Sequence, residues 1–325
     1  MNHFYYYKSE STDPALNLAR EAWLYDHLPE ISNQGILLFY LNRPSFILGK
    51  SQNAFREIDW LRADQYRIPV HRRISGGGAV FHDEKNINIS LIVPRKDEWI
   101  ANFEPILRPL LKFLRGLGLD ARLDNTSDLV LPEGKISGNA QALGKKQLLQ
   151  HGTVLFDSDL HTLGEYLHHE REGFLTKAVA SRQSRVVNCA EVLKAHGKQM
   201  SFEQFRDKLE SDLILSMDAI EYSFSKEAEQ EILVSAEERY RNWEWNFARS
   251  PKFILDKELE GAVFSIEVEK GRILEAKFDK EPKIAEALMG LPLRRKELEE
   301  ALAFLGEERI RHILTCLFTP QSRIL

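Results

Sequence analysis

The chain has 325 residues, a length that predicts two domains or one large domain with an appendage. Hydrophobic residues make up 43% of it and charged residues 29%, which excludes disorder, collagen and coiled coil as the main architecture. The formal charge of −5 argues against a dedicated nucleic-acid-binding protein, because such proteins usually carry a net basic face.

Cysteine usage and the apolar runs indicate the compartment. Cys189 and Cys316 are the only cysteines and form no CxxC pair, so neither a disulfide framework nor a zinc knuckle is expected. The N-terminus has no basic segment followed by an apolar stretch, which predicts no secretory signal. The longest apolar runs, at 36–41 and 89–93, are too short to cross a bilayer. We therefore expect a soluble cytoplasmic protein that does not enter a membrane.

Hydrophobic periodicity predicts mixed α/β structure along the chain. Asp13-Pro14 is typical of an N-cap and first helical residue, and it opens an apolar-periodic stretch. Further helices are predicted at 53–66, 99–117, 159–170, 201–217 and 226–241. Strands are predicted at 36–41, 45–48, 68–73, 79–82, 87–93, 128–131, 135–142 and 148–156.

The stretch at 243–251, WEWNFARSP, has no strong period and indicates a boundary. Beyond it, the alternating run at 261–279 predicts a hairpin around Lys270-Gly271, followed by three short helices. These patterns predict a large mixed α/β domain at 1–248 and a small α+β domain at 252–325.

The strongest local motif is RRISGGGAVFHD at 72–83. Three consecutive glycines between strands allow a ligand to approach the backbone, and successive amides in such a turn can bind an anion. Arg72 and Arg73 precede them, and a guanidinium can hold phosphate or carboxylate through two hydrogen bonds. The spacing matches neither a Walker loop nor a dinucleotide fingerprint. A flexible hairpin without a ligand is the alternative.

Three further motifs carry polar residues that could reach a ligand. GKISGNAQA at 134–142 places Lys135 at the start of a strand, either solvated or binding an oxyanion across a cleft. QHGTVLFDSDL at 150–160 contains His151, which is either a core histidine or a cavity residue. KAVASRQSRVVN at 177–188 places Arg182 and Arg185 in a loop, either solvated or closing over a nucleotide.

No metal site and no cysteine nucleophile is predicted. His161, His168 and His169 lack the i,i+4 histidine pair with a carboxylate that a metal site on a helix would need. Cys189 lies in an apolar context that is typical of a buried structural cysteine.

In this order, the four motifs resemble those of the lipoate–protein ligase A family. WEWNFARSP resembles that family's signature near the end of its catalytic domain, and the hairpin at 261–279 resembles the start of its accessory domain. The resemblance implies a biotin/lipoyl ligase catalytic domain, related in fold to class II aminoacyl-tRNA synthetases. It also implies activation of lipoate by Mg2+-ATP to lipoyl-AMP. The lipoyl group would then pass to a lysine of an apo lipoyl domain or of the glycine-cleavage H protein.

The resemblance also assigns site residues, with Lys135 as the catalytic group that contacts both the lipoyl carboxylate and the α-phosphate. It implies ATP or adenylate binding by Arg73, Gly78, Ala79, Val80, Phe81, Asp128, Lys135, Arg182 and Arg185. It implies lipoate binding by Arg72, Ser75, Gly76, Gly77, Gly78, Lys135 and His151. A monomer is expected, because no exposed apolar stripe stands out.

Two departures from related families bear on the alternatives. Where many ligases have Arg-Asn-Asp before the lysine strand, this chain has Asn125-Thr126-Ser127-Asp128, which keeps the aspartate and lacks the arginine. Residues 1–188 contain no cysteine, so the nucleophile of the related octanoyltransferases is missing there. The GRGRxGR-type loop of biotin ligases is also absent. An acyl-carrier transferase and a non-catalytic lipoate-binding paralogue remain the alternatives to a ligase.

Overall fold

The computed structural model describes residues 3–124, 127–167, 174–178, 181, 184–259 and 262–318. The strands are Phe4–Lys8 (β1), Gly35–Tyr40 (β2), Ser45–Leu48 (β3), Val70–Arg72 (β4), Val80–His82 (β5), Asn86–Pro94 (β6), Arg122–Leu123 (β7), Asp128–Leu131 (β8), Gly134–Leu143 (β9), Gln147–Leu155 (β10), Phe174–Thr176 (β11), Ile220–Glu221 (β12), Phe253–Leu259 (β13), Ala262–Glu269 (β14) and Arg272–Phe278 (β15). The helices are Pro14–Ile31 (α1), Ala54–Glu57 (α2), Trp60–Gln65 (α3), Glu104–Gly116 (α4), Leu160–Tyr166 (α5), Cys189–Ala195 (α6), Phe202–Ser216 (α7), Lys226–Ser235 (α8), Pro282–Leu288 (α9), Arg295–Ala301 (α10) and Glu307–Phe318 (α11).

An eight-stranded sheet forms the centre of the chain, in the order β12-β1-β2-β6-β10-β9-β8-β7. Every residue of β2 is buried, because both faces of the sheet are covered. Leu37 and Phe39 join the core formed with α4 and α7, whereas Ile36, Leu38 and Tyr40 pack with leucines of α1. The alternation of side chains along a strand accounts for this division, and the predicted strand at 36–41 is confirmed.

Helix α1 begins as predicted and also brings polar groups to the core. The Asp13 carboxylate caps it by accepting a hydrogen bond from the Ala15 amide at 3.0 Å. Its buried face contains Leu18 and Leu24, but also Asn17 and Glu21, which are 0% and 1% exposed. Buried polar side chains are stable only with hydrogen-bond partners, so these two residues indicate a polar network between the helix and the sheet.

A small sheet, β4-β3-β5, carries the glycine motif in the connection from β4 to β5. Its central strand packs against α1, since Ile47 shares a cluster with Leu18 and Ala22. Gly77 has a φ of 88°, a conformation that favours glycine. A Cβ atom at Gly49 would collide with the Gly77 carbonyl, so the turn after β3 and the glycine loop lie in direct backbone contact.

The C-terminal part contains the predicted hairpin and the three predicted helices. Strands β14 and β15 are joined by Lys270 and Gly271, whose φ angles of 51° and 69° suit a tight two-residue turn. Strand β13, which the sequence pattern did not predict, lies between β14 and β11 and pairs with both. The Phe174 and Phe253 rings stack there with centroids 4.4 Å apart.

The predicted boundary at 248–252 falls just before β13, so β11 joins the C-terminal sheet from within the proposed catalytic domain. The division into 1–248 and 252–325 stays a prediction. Within the described ranges, none of the helices combines the length and the hydropathy needed to span a bilayer.

Candidate active site

A cavity of about 590 Å³ lies between the central sheet, the glycine loop and α1. It extends from β2 and β6 at one side to β8 and β9 at the other, with β5 contributing a further wall. Of the predicted site residues, it is lined by Arg73, Gly77, Gly78, Ala79, Val80, Phe81, Asp128, Lys135 and His151. Motifs separated by up to about eighty positions along the chain therefore meet in one place.

Lys135 and Asp128 form the charged pair of the cavity. The Lys135 Nζ lies 2.8 Å from the Asp128 Oδ2, and the two side chains are 25% and 19% exposed. Two hydrogen bonds to the 185–187 segment fix the backbone of Lys135. Its amide donates to the Arg185 carbonyl, and its carbonyl accepts from the Val187 amide. A partly exposed ammonium on a fixed backbone can exchange the aspartate for a ligand anion.

The Arg73 side chain fixes the conformation of the glycine loop through hydrogen bonds. Its guanidinium donates to the carbonyls of Gly76 and Gly78, at 2.6 and 2.9 Å, and to that of Ile47 at 3.1 Å. Burial lowers the pKa of Arg73 to about 10, opposed by the nearby Glu21 carboxylate, so the side chain stays cationic at neutral pH. Arg73 thus combines a positive charge in the cavity with control of the loop conformation.

His151 belongs to a buried network that ends on Glu21 of α1. The His151 Nδ1 lies 2.8 Å from the Glu21 Oε2, which also accepts from the Ser90 hydroxyl at 2.5 Å. Burial disfavours the Glu21 carboxylate, but the attraction and hydrogen bond of His151 together with the Ser90 bond outweigh it and lower the pKa of Glu21. Glu21 was not predicted as a site residue, although a carboxylate among the apolar positions of this helix was a usable signal.

The same network continues to the glycine loop through Ser75. Its hydroxyl lies 2.6 Å from the His151 Nε2 and accepts a hydrogen bond from the Arg73 Nε at 2.9 Å. Glu21, His151 and Ser75 therefore have the hydrogen-bond order of a catalytic triad. Ser75 is 1% exposed and does not line the cavity, so its hydroxyl connects the loop to the sheet and is not presented as a nucleophile.

Ser181 connects the 177–188 motif to the glycine loop. Its hydroxyl accepts from the Ala79 amide at 2.9 Å and donates to the Glu57 carboxylate at 2.5 Å. Glu57 also accepts from the Ser181 amide at 3.0 Å and from the Gln52 side chain at 2.9 Å. Glu57 and Gln52 were not predicted as site residues, because no local motif marks them.

Arg72 is not brought into the cavity. It is 0% exposed, and its guanidinium donates to the carbonyls of Gly49, Gln52 and Asn246, at 2.9, 2.7 and 2.8 Å. The 243–251 motif completes this contact, because the Trp245 indole donates to the Arg72 carbonyl. Successive residues of a strand point to opposite faces, so only one of the two arginines can face the ligand.

Gly76 and Arg185 also lie outside this cavity. Gly76 lines a separate groove, and Arg185 contributes its carbonyl to the Lys135 backbone while remaining exposed. Arg182, Asn125 and Thr126 fall outside the described residues.

The histidines and the cysteine that the sequence analysis set aside lie as follows. No group of three or more His, Cys, Asp or Glu side chains that could hold a metal ion occurs within them. His168 and His169 are not among the described residues. Cys189 is fully buried away from the cavity, and burial raises the pKa of its thiol to about 12. It therefore remains a thiol at neutral pH and not the thiolate that a nucleophile requires.

The fold and the cavity define an acyl-ligase catalytic domain, and comparison with known proteins identifies its family. Residues 13–214 match the lipoyl protein ligase A/B catalytic domain. The chain is 38% identical over 273 residues to the lipoate-protein ligase LplJ of Bacillus subtilis, covering 82% of this chain and 81% of that protein. The chain belongs to the lipoate–protein ligase family and is an enzyme of the ligase class.

Two solved structures agree with this assignment. One is a protein from Thermoplasma acidophilum assigned as a lipoate protein ligase and solved with bound lipoic acid. It has 26% identity and a TM-score of 0.60, covering 75% of this chain and 98% of that one. The other is a lipoate-protein ligase A bound with ATP, with 25% identity and a TM-score of 0.58 over 75% of this chain and 98% of that one. The predicted mixed α/β ligase fold is confirmed.

Proposed function

We propose that this protein activates lipoate with ATP and transfers the lipoyl group to a lysine of an apo lipoyl domain or glycine-cleavage H protein. The observation that carries the proposal is the position of the Lys135 ammonium, 2.8 Å from Asp128 in the cavity that the glycine loop lines. We further propose that the chain acts as a cytoplasmic monomer. The domain assignment remains 1–248 for catalysis and 252–325 as the accessory domain.

Activation requires that two anions meet. An oxygen of the lipoyl carboxylate attacks the α-phosphorus of ATP, and the bond to the β-phosphate oxygen breaks, so pyrophosphate leaves. Lys135 can exchange Asp128 for these anions and neutralise both while the new bond forms. The backbone from Gly78 to Phe81 and the charge of Arg73 lie on the same cavity wall and would hold the nucleotide.

Transfer needs no protein nucleophile. The amine of the acceptor lysine attacks the carbonyl carbon of lipoyl-AMP, the bond to the phosphate oxygen breaks, and AMP leaves as the amine loses a proton. This scheme is favoured over acyl-carrier transfer because Cys189, the only cysteine whose side chain is described, is buried outside the cavity.

Mg2+ is proposed to enter with ATP. Asp124 and Asp128 line the cavity, and carboxylate oxygens are the ligands that this cation prefers. When bound, Mg2+ supplies further charge neutralisation on the polyphosphate.

The proposal is tested by incubating the protein with Mg2+-ATP, lipoate and an apo lipoyl domain, and recording the intact mass of that domain. We expect a gain of one lipoyl group that depends on both ATP and lipoate, with one pyrophosphate released per transfer. Transfer without ATP from an octanoylated or lipoylated carrier protein, added in place of lipoate, would indicate an acyl-carrier transferase. Lipoate binding without ATP turnover would indicate a binding paralogue, and either result would overturn the proposal.

A further inference from the structure

A buried polar pair, Gln52 and Glu57, lies beside the glycine loop and has no part in the proposed mechanism. Glu57 is the last residue of α2, and both side chains of the pair are 1% exposed. Neither of them lines the cavity, but both contact Ser181, which does. Burial of a carboxylate is costly unless hydrogen-bond donors replace the lost water, so a glutamate at this position needs an explanation.

Glu57 receives three hydrogen bonds on one carboxylate oxygen. Its Oε2 accepts from the Ser181 amide at 3.0 Å, from the Ser181 hydroxyl at 2.5 Å and from the Gln52 Nε2 at 2.9 Å. The Gln52 Oε1 accepts from the Gly49 amide at 2.9 Å, which fixes the side-chain amide with its NH2 group towards Glu57. Glu57 therefore holds both the main chain and the side chain of Ser181.

These contacts determine how the Ser181 hydroxyl meets the glycine loop. A hydroxyl group donates one hydrogen bond and accepts two. Its hydrogen is directed to Glu57, so its two acceptor positions are left for the Gln52 Nε2 at 3.0 Å and the Ala79 amide at 2.9 Å. Without Glu57 the hydroxyl would be free to rotate, and the Ala79 amide would lose a fixed acceptor.

Ser181 and Arg73 together fix one peptide group of the glycine loop, the unit that joins Gly78 to Ala79. The carbonyl of this unit accepts from the Arg73 guanidinium at 2.9 Å, and its N–H donates to the Ser181 hydroxyl at 2.9 Å. A Cβ atom at Gly78 would lie 3.0 Å from the Ser181 Oγ, so the serine packs directly on the loop. Because a peptide unit is planar, hydrogen bonds at both of its ends set the orientation of the whole unit.

Building on the proposed function, we propose that Glu57 is a positioning residue for ATP. It holds Ser181 against the glycine loop and thereby fixes the Gly78–Ala79 peptide group within the stretch of backbone that would hold the nucleotide. Arg73 binds the Gly76 carbonyl independently of Ser181, so the earlier part of the loop does not depend on Glu57. We therefore expect loss of Glu57 to weaken ATP binding and to leave lipoate binding almost unchanged.

The test measures both ligands in the Glu57→Ala protein. ATP binding is measured by calorimetry with Mg2+-ATP in the absence of lipoate, and pyrophosphate release gives the KM for ATP and for lipoate. Glu57→Ala should weaken ATP binding and raise the KM for ATP about ten- to thirtyfold, while the KM for lipoate changes less than about twofold. An unchanged affinity for ATP, or equal losses for ATP and lipoate, would overturn the inference.

Glu210→Ala is the matched control, and Glu57→Gln is the conservative variant. Glu210 is also a buried glutamate, at 8% exposed, but it pairs with Lys8 at 2.8 Å and does not line the cavity. Both alanine variants should lose stability, and only Glu57→Ala should lose ATP affinity. Glu57→Gln keeps an acceptor oxygen for Ser181 and should bind ATP within about threefold of the wild type. An equal loss of ATP affinity in Glu210→Ala would contradict a specific role for Glu57.

The route through Ser181 is tested by combining Glu57→Ala with Ser181→Ala. Residues that act through one another have effects that do not add. The double variant should therefore bind ATP little more weakly than Glu57→Ala alone. Losses that multiply in full would show that Glu57 acts independently of Ser181 and would overturn the inference.

Amide hydrogen exchange in the wild type keeps the inference testable if Glu57→Ala does not fold. The Ser181 amide should be protected without ligand and remain protected when Mg2+-ATP is added. Faster exchange with ATP bound would overturn the inference, because the nucleotide would then displace Ser181 from Glu57. A protein whose ATP binding depends on Glu57 but which releases no pyrophosphate with lipoate would contradict the ligase and support the role of Glu57.

Discussion

The two ends of the cavity differ in how firmly their polar groups are held. At the Lys135 end, an ammonium and a carboxylate pair while partly exposed, so water or a substrate can replace either partner. At the β2 end, Glu21, His151 and Ser75 are buried and joined by hydrogen bonds to one another, and Ser75 also accepts from Arg73. A reaction needs charged side chains whose ionic partners the substrate can replace. Recognition of a ligand's shape needs side chains that are fixed in place.

A similar difference separates the two cations that line the cavity. The Lys135 ammonium pairs with the Asp128 carboxylate and can move to a new anion. The Arg73 guanidinium donates four hydrogen bonds, three of them to carbonyls, and cannot leave without releasing the loop. We therefore expect substitutions at the Lys135 end to change rates, and substitutions at the β2 end to change stability and ligand choice.

The largest effect is expected at Lys135. Lys135→Ala removes the cation that neutralises both anions, so formation of lipoyl-AMP should slow about 100- to 1000-fold while the unfolding free energy changes little. The rate is measured by single-turnover analysis of the adenylate, with Lys145→Ala, an exposed lysine in the following turn, as the control. Formation of lipoyl-AMP at the wild-type rate by the Lys135→Ala protein would contradict the mechanism.

Glu21→Ala should act mainly on stability. The change leaves Ser90 and His151 without their buried acceptor, which is expected to cost roughly 3 kcal/mol of unfolding free energy. Urea unfolding measures it, and Glu30→Ala, an exposed glutamate of the same helix, should change stability by less than about 0.5 kcal/mol. Equal stability of the two variants would contradict a stabilising role for the buried hydrogen bonds at the β2 end.

The buried histidines predict a pH dependence of stability. Burial lowers the pKa of His71 to about 4 and of His82 to about 3. Below about pH 6.5 the unfolded chain takes up a proton at each site that the folded chain refuses, so the unfolding free energy falls as the pH falls. Each histidine contributes up to about 1.4 kcal/mol per pH unit between pH 6.5 and 4. His71→Phe should make this slope shallower by that amount, and an unchanged slope would contradict a neutral buried His71.

The smallest effect is expected at Ser181, which anchors its segment to Glu57 and to the Ala79 amide. Ser181→Ala should raise the KM for ATP about three- to tenfold and leave the KM for lipoate unchanged. The variant loses the hydrogen bond that positions the glycine loop at Ala79, which is worth about 1 kcal/mol. Ser216→Ala, on the exposed face of α7, is the control. A lower KM for ATP would show that Ser181 competes with the nucleotide for the Ala79 amide.

Sequence patterns predicted the parts of the site that are local. The glycine loop and Lys135 lie within contiguous motifs, and the strands that carry them have clear boundaries, so the cavity contains both as expected. Glu21 and Glu57 act through contacts with residues distant in the chain, and no local pattern contains that information. Arg72 illustrates the same limit, because a motif with two arginines does not say which one faces the 243–251 segment.

The unpredicted strands have a similar explanation. Strand β11 is three residues long and pairs with β13 through Thr176 and Phe253, which are far apart in the chain. A strand of three residues is too short to show an alternation of polar and apolar side chains. Its pairing with β13 is therefore what defines it as a strand. Strand β1 lies in an aromatic run near the N-terminus, and its parallel pairing with β2 is likewise a tertiary feature.

The central claim is that the chain activates lipoate before any acceptor is present. Lipoate-dependent exchange of labelled pyrophosphate into ATP tests this most directly, with Mg2+ and no lipoyl domain in the reaction. We expect exchange with lipoate in the wild type, and exchange about 100-fold or more slower in Lys135→Ala. The absence of exchange in the wild type, under conditions where calorimetry confirms bound lipoate, would contradict it.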